Sequence, residues 1–341
     1  SLPAGFLDTP ARQLHGLLSG PTLIHLPGRR PEPLFVSVLL HGNEDTGVVA
    51  LQKLLRGHSR RTLPRALSIL IGNVAAARVG MRRLERQPDY NRVWPGARLD
   101  ADSPECAAMR EVYERMQARR VFASIDIHNN TGLNPQYCVV NRLDRQVLHL
   151  ARLFSRTVVW FRGLAGTQTT AFSSLCPALT IECGKPGWSA NEEHAAAFVE
   201  ACLHLAQCPS HDVREQDIDL YHTVATVRVP TSVSFAFTDA SADIDFDPQL
   251  DHMNFRQLDP GTVFGRTQLP APIEVRDEIG DDVTAEFFTF AEGTIRLRRA
   301  ATPAMLTLDP RVVRQDCLCY LMERLPLPHR ERVVCALPVG G

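Results

Sequence analysis

The chain has 341 residues, with 44% hydrophobic and 22% charged side chains. That is ordinary globular composition at a length that buries a sizeable core in one large domain or two. A formal net charge of −1 and a pI of about 6.9 leave no basic excess for nucleic acid or an anionic membrane surface.

Residues 1–33 read as loop, with one short strand over 22–26 before a Pro/Gly/Arg turn. The run 34–40 is almost continuously apolar and β-branched, the pattern of a strand buried on both faces. It ends in His41-Gly42-Asn43-Glu44-Asp45-Thr46-Gly47, where Asp45 or Thr46 can cap a helix running through Val48, Leu51, Leu54 and Leu55. A second buried strand spans 67–71 and stops at Gly72-Asn73. Residues 78–98 are Arg-rich and irregular. Asp102-Ser103-Pro104-Glu105 opens a helix, with Ser103 as N-cap and Pro104 at the first position.

Strands are expected over 121–127, 137–140, 157–161 and 178–181, and helices over 144–155 and 191–206. Buried strands alternating with helices specify an α/β core whose sheet is mixed and largely parallel. Beyond Pro209 the pattern shifts to short alternating segments, over 222–229, 232–237, 285–290 and 294–297, the last two joined by a hairpin turn at Ala291-Glu292-Gly293. We therefore expect a catalytic α/β domain over 1–209 and a smaller, mostly β domain over 210–341. The nine cysteines, Cys335 among them, form no CxxC pair. They read as reduced thiols of a cytoplasmic protein, with no signal peptide and no membrane span expected.

Polar groups cluster where apolar runs end: His41 and Glu44 after the first, Asp126-Ile127-His128-Asn129 after the strand at 121, and Glu182 after the strand at 178. In open α/β sheets ligands bind beyond the carboxyl ends of strands, so three strands deliver these groups to one edge. Two histidines and a glutamate are a recognised catalytic zinc set, with a fourth position left for water. Asp126, two residues before His128 on one strand face, can orient a ligand imidazole. Taken singly, each has a plainer reading: His41 as a hydrogen-bonded core histidine, Glu182 as a strand-end carboxylate satisfied by Lys185 or an arginine.

The strings HGNEDTG, DYNRVW, DIHNNTG and TIECGKPG, in this order and spacing, resemble the succinylglutamate desuccinylase/aspartoacylase family of the zinc carboxypeptidase superfamily over about residues 34–190. The resemblance implies a zinc carboxypeptidase-like mixed sheet flanked by helices, followed by a smaller β domain that can cap the active site. It implies one zinc ion per chain on His41, Glu44 and His128, with Glu182 as the catalytic carboxylate. Asn91 and Arg92 match the pair that holds the substrate's carboxylate. A further family arginine falls on Arg83 if one residue is inserted near Pro88, with Arg82 and Arg86 as alternatives. Aspartoacylases carry another arginine where this chain has Phe172, which points away from an N-acylaspartate. The implied activity is hydrolysis of the amide bond of a small N-acyl amino acid or related amine. The alternatives are a carboxypeptidase acting on short peptides with a free carboxylate, and a catalytically silent metal-containing binding protein.

Overall fold

The apolar run before His41 is a strand, and every residue from Leu34 to Val38 on it is buried. In the computed structural model, which describes residues 2–97, 103–162, 165–239 and 241–327, that strand sits inside a large sheet. Asp102 and Cys335, both named above, lie outside the described residues. In chain order the elements are β1 (Thr22–Leu26), β2 (Gly28–Val38), α1 (Thr46–Gly57), β3 (Leu63–Ile71), α2 (Val74–Val79), α3 (Pro104–Ala118), β4 (Ala123–His128), β5 (Tyr137–Val140), α4 (Arg145–Phe154), β6 (Thr157–Trp160), α5 (Gln168–Phe172), β7 (Ala178–Glu182) and α6 (Ser189–His204). Then come β8 (Asp219–Arg228), β9 (Phe235–Ala236), β10 (Ile244–Phe246), β11 (Val263–Thr267), β12 (Glu274–Asp277), α7 (Thr284–Phe287), β13 (Phe288–Ala291), β14 (Thr294–Leu297), β15 (Thr302–Ala304), α8 (Pro310–Gln315) and β16 (Cys319–Leu325).

The larger sheet has the order β1-β3-β2-β4-β7-β5-β6-β8-β16-β15. Its centre, β3-β2-β4-β7, is parallel, as is β5-β6-β8, while β1, β16 and β15 run antiparallel to their neighbours. This is the mixed, largely parallel α/β sheet expected, with helices covering an apolar core that includes Val36, Ile69, Ile125 and Leu179. The smaller sheet, β13-β14-β11-β10-β9, is built entirely from residues beyond 209 and carries the expected hairpin between β13 and β14. The same stretch also extends the larger sheet: β8 pairs with β6 over its first four residues, and β12 takes the neighbouring place along Ala225–Arg228.

Several boundaries differ from the sequence reading for identifiable reasons. The strand expected over 34–40 stops at Val38, because Leu39 adopts a left-handed φ of 59° and turns the chain toward His41. It begins earlier, at Gly28, where the polar segment 28–33 pairs with the start of β3. The short helix α2 was not anticipated; Asn73 caps it by accepting from the Ala76 amide at 3.0 Å. Residues 284–287 form a helical turn rather than the start of a strand, since the Thr284 hydroxyl accepts from the Val275 amide of β12. Ser103 caps α3 as expected, accepting from the Cys106 amide. The eight described cysteines form no disulfide, and no described helix is long and apolar enough to cross a membrane.

Candidate metal and catalytic site

Parallel pairing of β2, β4 and β7 brings the ends of these strands to one edge of the sheet, with His128 and Glu182 directly abreast in register. Two glycines let the His41 segment reach them. A Cβ on Gly42 would stand 2.3 Å from the Ala77 amide nitrogen of α2, and one on Gly47 would lie 2.7 Å from Val38 Cγ1. Only glycine permits so close a backbone approach. The start of α1 is capped from outside: Asn129, just past β4, accepts from the Thr46 amide at 3.2 Å and donates to the Gly184 carbonyl at 2.7 Å. Asn129 thus joins the loops after β2, β4 and β7. It has the side chain of a capping residue, but the sequence does not reveal that the helix it caps belongs to another segment.

His41, Glu44 and His128 meet in a buried cluster whose donor atoms could hold a metal ion. His41 Nδ1 lies 2.8 Å from Glu44 Oε1, His128 Nδ1 lies 2.7 Å from Glu44 Oε2, and the two Nδ1 atoms are 3.2 Å apart. That separation is close to the spacing of two nitrogens sharing a tetrahedral zinc ion at about 2.1 Å each. The far nitrogen of each ring meets a carboxylate: His41 Nε2 donates to Asp89 Oδ1 at 3.0 Å and His128 Nε2 to Asp126 Oδ2 at 2.6 Å. A carboxylate at this position fixes the tautomer and leaves Nδ1 to bind, so the donor chemistry fits zinc. Asp126 is in turn held by the Ser37 hydroxyl at 2.7 Å.

Charge is concentrated here. Burial pulls both imidazoles down, joined at His41 by the Arg82 cation, but the carboxylates beside them outweigh it, raising His41 above and His128 well above the usual histidine value. Burial also opposes ionisation of Glu44, yet His41 and His128 hold its carboxyl far below the ordinary range. Glu182 is different. Its described side-chain hydrogen bond is from Asn130 Nδ2, at 3.4 Å, and burial pushes its carboxyl up to about 7 against the pull of His128. Lys185, the partner a plainer reading offered, pairs instead with Asp251. A carboxylate poised near neutrality is suited to taking and returning a proton.

Of the arginines offered for this cleft, Arg83 with Arg82 and Arg86 as alternatives, it is Arg82 that lines it. Arg83 turns away and donates to the Gln87 carbonyl, whereas Arg82 is buried in the cleft wall. Arg82 Nη2 lies 3.0 Å from Asp89 Oδ2 and 3.4 Å from Asp316 Oδ2, with Nη1 3.7 Å from Glu44 Oε1. Arg92 also lines the cleft, its Nη1 bound to the Asn91 carbonyl and its Nη2 3.9 Å from Asp316 Oδ1. The Asn91 side chain accepts from the Gln168 amide, and its Nδ2 lies 3.3 Å from His128 Nε2. Phe172 is fully buried and stacks on Phe35 with centroids 4.7 Å apart, so it contributes to the core and not to the cleft.

Among the residues of this site that sequence reasoning missed are Asp89, Asp316 and Tyr320. Asp89 carried a usable signal, since it opens the Asp89-Tyr90-Asn91-Arg92 string. Asp316 and Tyr320 line the same cleft from beyond α8 and carried no local signal. The cleft encloses about 740 Å³ when its open mouth is included.

A family model describing the succinylglutamate desuccinylase/aspartoacylase catalytic domain matches residues 33–208. No curated protein matches the chain. Among solved structures, the succinylglutamate desuccinylase from Chromobacterium violaceum is similar at 17% identity and a TM-score of 0.59, covering 90% of this chain and 89% of that one. Murine aminoacylase 3 is similar at 17% identity and a TM-score of 0.56, covering 87% and 96%. The product-bound ectoine utilization protein from Ruegeria pomeroyi follows at 13% identity and 0.54, covering 89% and 88%. At these identities the structural likeness speaks to the fold.

Proposed function

The chain belongs to the succinylglutamate desuccinylase/aspartoacylase family, and from that membership we propose that it is a zinc-dependent deacylase. Its substrate is a small N-acyl amino acid or related N-acylated amine, cleaved at the amide bond. The observation that carries this reading is the place of Glu182: abreast of His128, outside the donor set, and raised to about 7 by burial.

In this reading His41, Glu44 and His128 hold the zinc ion, with Asp89 and Asp126 fixing the two rings. When bound, zinc supplies a Lewis acid that polarises an acyl carbonyl and lowers the pKa of water toward about 7. Glu182 takes a proton from the attacking water and delivers it to the amine nitrogen as the carbon–nitrogen bond breaks, leaving a carboxylate and a free amine. Arg92, partly open to the cleft, offers its guanidinium to the substrate's carboxylate, with Asn91 beside it. Arg82 takes the place expected of Arg83 beside the reacting carbonyl; its Nε has no partner among the described atoms. Residues 210–341 contribute Met305, Asp316 and Tyr320 to the cleft walls, which supports a small substrate over an extended peptide.

The test is metal analysis of the purified protein together with a turnover screen of N-acetyl, N-succinyl and N-formyl amino acids. About one zinc per chain and release of free amine are expected. Absence of metal after supplementation, or a zinc-loaded protein that cleaves none of these amides, counts against the reading.

A further inference from the structure

Away from the metal donors, the floor of the cleft is the face of the larger sheet, and its residues form lateral rows. Tyr137 lies beside Glu182, Val139 beside Thr180, Val159 beside Val139, and Met322 beside Thr223. Ala304 continues this surface on β15, and apart from Glu182 at its edge these side chains are uncharged. Burial raises the hydroxyl pKa of Tyr137, so that ring also stays neutral.

Two polar atoms in this lining have no hydrogen-bond partner in the protein: Thr223 Oγ1 and Asn141 Oδ1, both shielded from solvent. Thr223 is 2% exposed. Asn141 donates its Nδ2 to the Phe161 carbonyl at 2.8 Å, which sets the amide's orientation and leaves the oxygen as a free acceptor. Buried polar groups without partners are uncommon, and inside a cavity they mark where a ligand hydrogen-bonds.

The cleft's guanidinium groups are already balanced. Arg82 faces Asp89 and Asp316, and Arg92 shares Asp316. Arg92, the more exposed of the two, can accept one substrate carboxylate. Once Arg92 holds one carboxylate and Arg82 its own partners, a second carboxylate on the floor would meet no further arginine or lysine among the described lining residues and would lose its hydration without compensation.

We propose that this floor, walled by Val139, Val159, Ala304 and Met322 and carrying Asn141 Oδ1 and the Thr223 hydroxyl, is an uncharged specificity pocket. It selects N-acyl amino acids bearing a single carboxylate, whose remaining substituent is apolar or ends in a neutral hydrogen-bond donor, and it excludes dicarboxylates. This inference rests on the deacylase reading and narrows its substrate class.

The experiment measures binding to the zinc-loaded Glu182→Gln variant by calorimetry, so that it reads the pocket independently of turnover. The probes are two near-isosteric pairs: N-acetyl-L-glutamine against N-acetyl-L-glutamate, and N-butyryl-L-alanine against N-succinyl-L-alanine. The neutral member of each pair should bind at least tenfold more tightly. Met322→Lys, which places a cation on the floor, should narrow or reverse that preference. A dicarboxylate that binds as tightly as its neutral partner, or no binding by any probe, overturns the inference, and this holds even if the lysine variant does not fold. Selective binding of the neutral probes by a wild-type protein that cleaves none of them would overturn the deacylase reading alone.

Discussion

His41 donates its Nε2 proton to Asp89 Oδ1 at 3.0 Å, while the other oxygen of Asp89 accepts from Arg82 at the same distance. One carboxylate thus fixes a ring at the metal cluster and anchors the buried cation beside it. Asp89→Asn should leave the fold intact but free the imidazole to adopt the other tautomer. Loss of such a ring-orienting carboxylate typically weakens metal affinity about 10–100-fold. Competition with a chromophoric chelator measures this, and an unchanged zinc affinity would show that Asp89 does not orient His41.

Glu182→Gln should retain zinc and lose about 10²–10⁴-fold in turnover, the usual worth of a positioned proton-transfer group. It should also change the pH dependence of stability in metal-free protein. The folded-state pKa of about 7 exceeds the reference value of 4.5, so the folded state binds more protons between those limits. Stability therefore falls as pH rises through that window, by about 3 kcal/mol in total from this group. Urea unfolding of chelator-stripped protein at pH 5 and pH 8 should show this loss in the wild type and a smaller one in the glutamine variant. Equal slopes would place Glu182 in a more hydrated setting.

His41 and His128 carry raised pKa values in the metal-free site. Zinc binds the neutral rings, so its uptake near pH 7 should release about one to two protons per ion, and apparent affinity should weaken as pH falls. Calorimetry in buffers of differing ionisation enthalpy counts those protons. Uptake without proton release would contradict binding through these two rings.

Arg82 and Arg83 are adjacent in sequence but opposite in setting. Arg82→Ala leaves the buried Glu44 and the part-buried Asp89 and Asp316 without their shared cation, and breaking a buried pair in this way commonly costs about 3–5 kcal/mol. Turnover should fall at least about tenfold, the rate equivalent of only about 1.4 kcal/mol. Arg83→Ala, removing a contact to a loop carbonyl, should change stability by no more than about 0.5 kcal/mol and leave turnover near that of the wild type. Thermal melts and kcat/KM on both variants decide it, and the reverse ranking would return the role to Arg83.

The strand-and-helix core was legible because burial imposes a pattern on the residues themselves. Leu34–Val38 and Ala178–Ile181 are apolar at every or nearly every position, since helices or neighbouring strands cover both faces. The ends of those strands and of Ala123–His128 mark the positions of His41, Glu44, His128 and Glu182, and parallel pairing sets them at one edge. The turn at Leu39 was not legible: nothing about a leucine announces a left-handed φ, which is held here by the Asn73 amide bonding to the Leu39 carbonyl.

By itself, the amino-acid sequence determined the α/β core and singled out His41, Glu44 and His128 as one group, because the first follows from local periodicity and the second from short strings of fixed spacing. The tertiary structure decided which arginine enters the cleft, which carboxylates hold the rings, and what lies opposite the metal donors. Arg82 and Arg83 occupy one irregular loop, and only the ion pairs of Arg82 with Asp89 and Asp316 and the bond of Arg83 to the Gln87 carbonyl give the two side chains different directions. Asp316, Tyr320 and Met322 reach the cleft because β8, β16 and β15 extend the larger sheet, a pairing between segments far apart in the chain that no local pattern encodes.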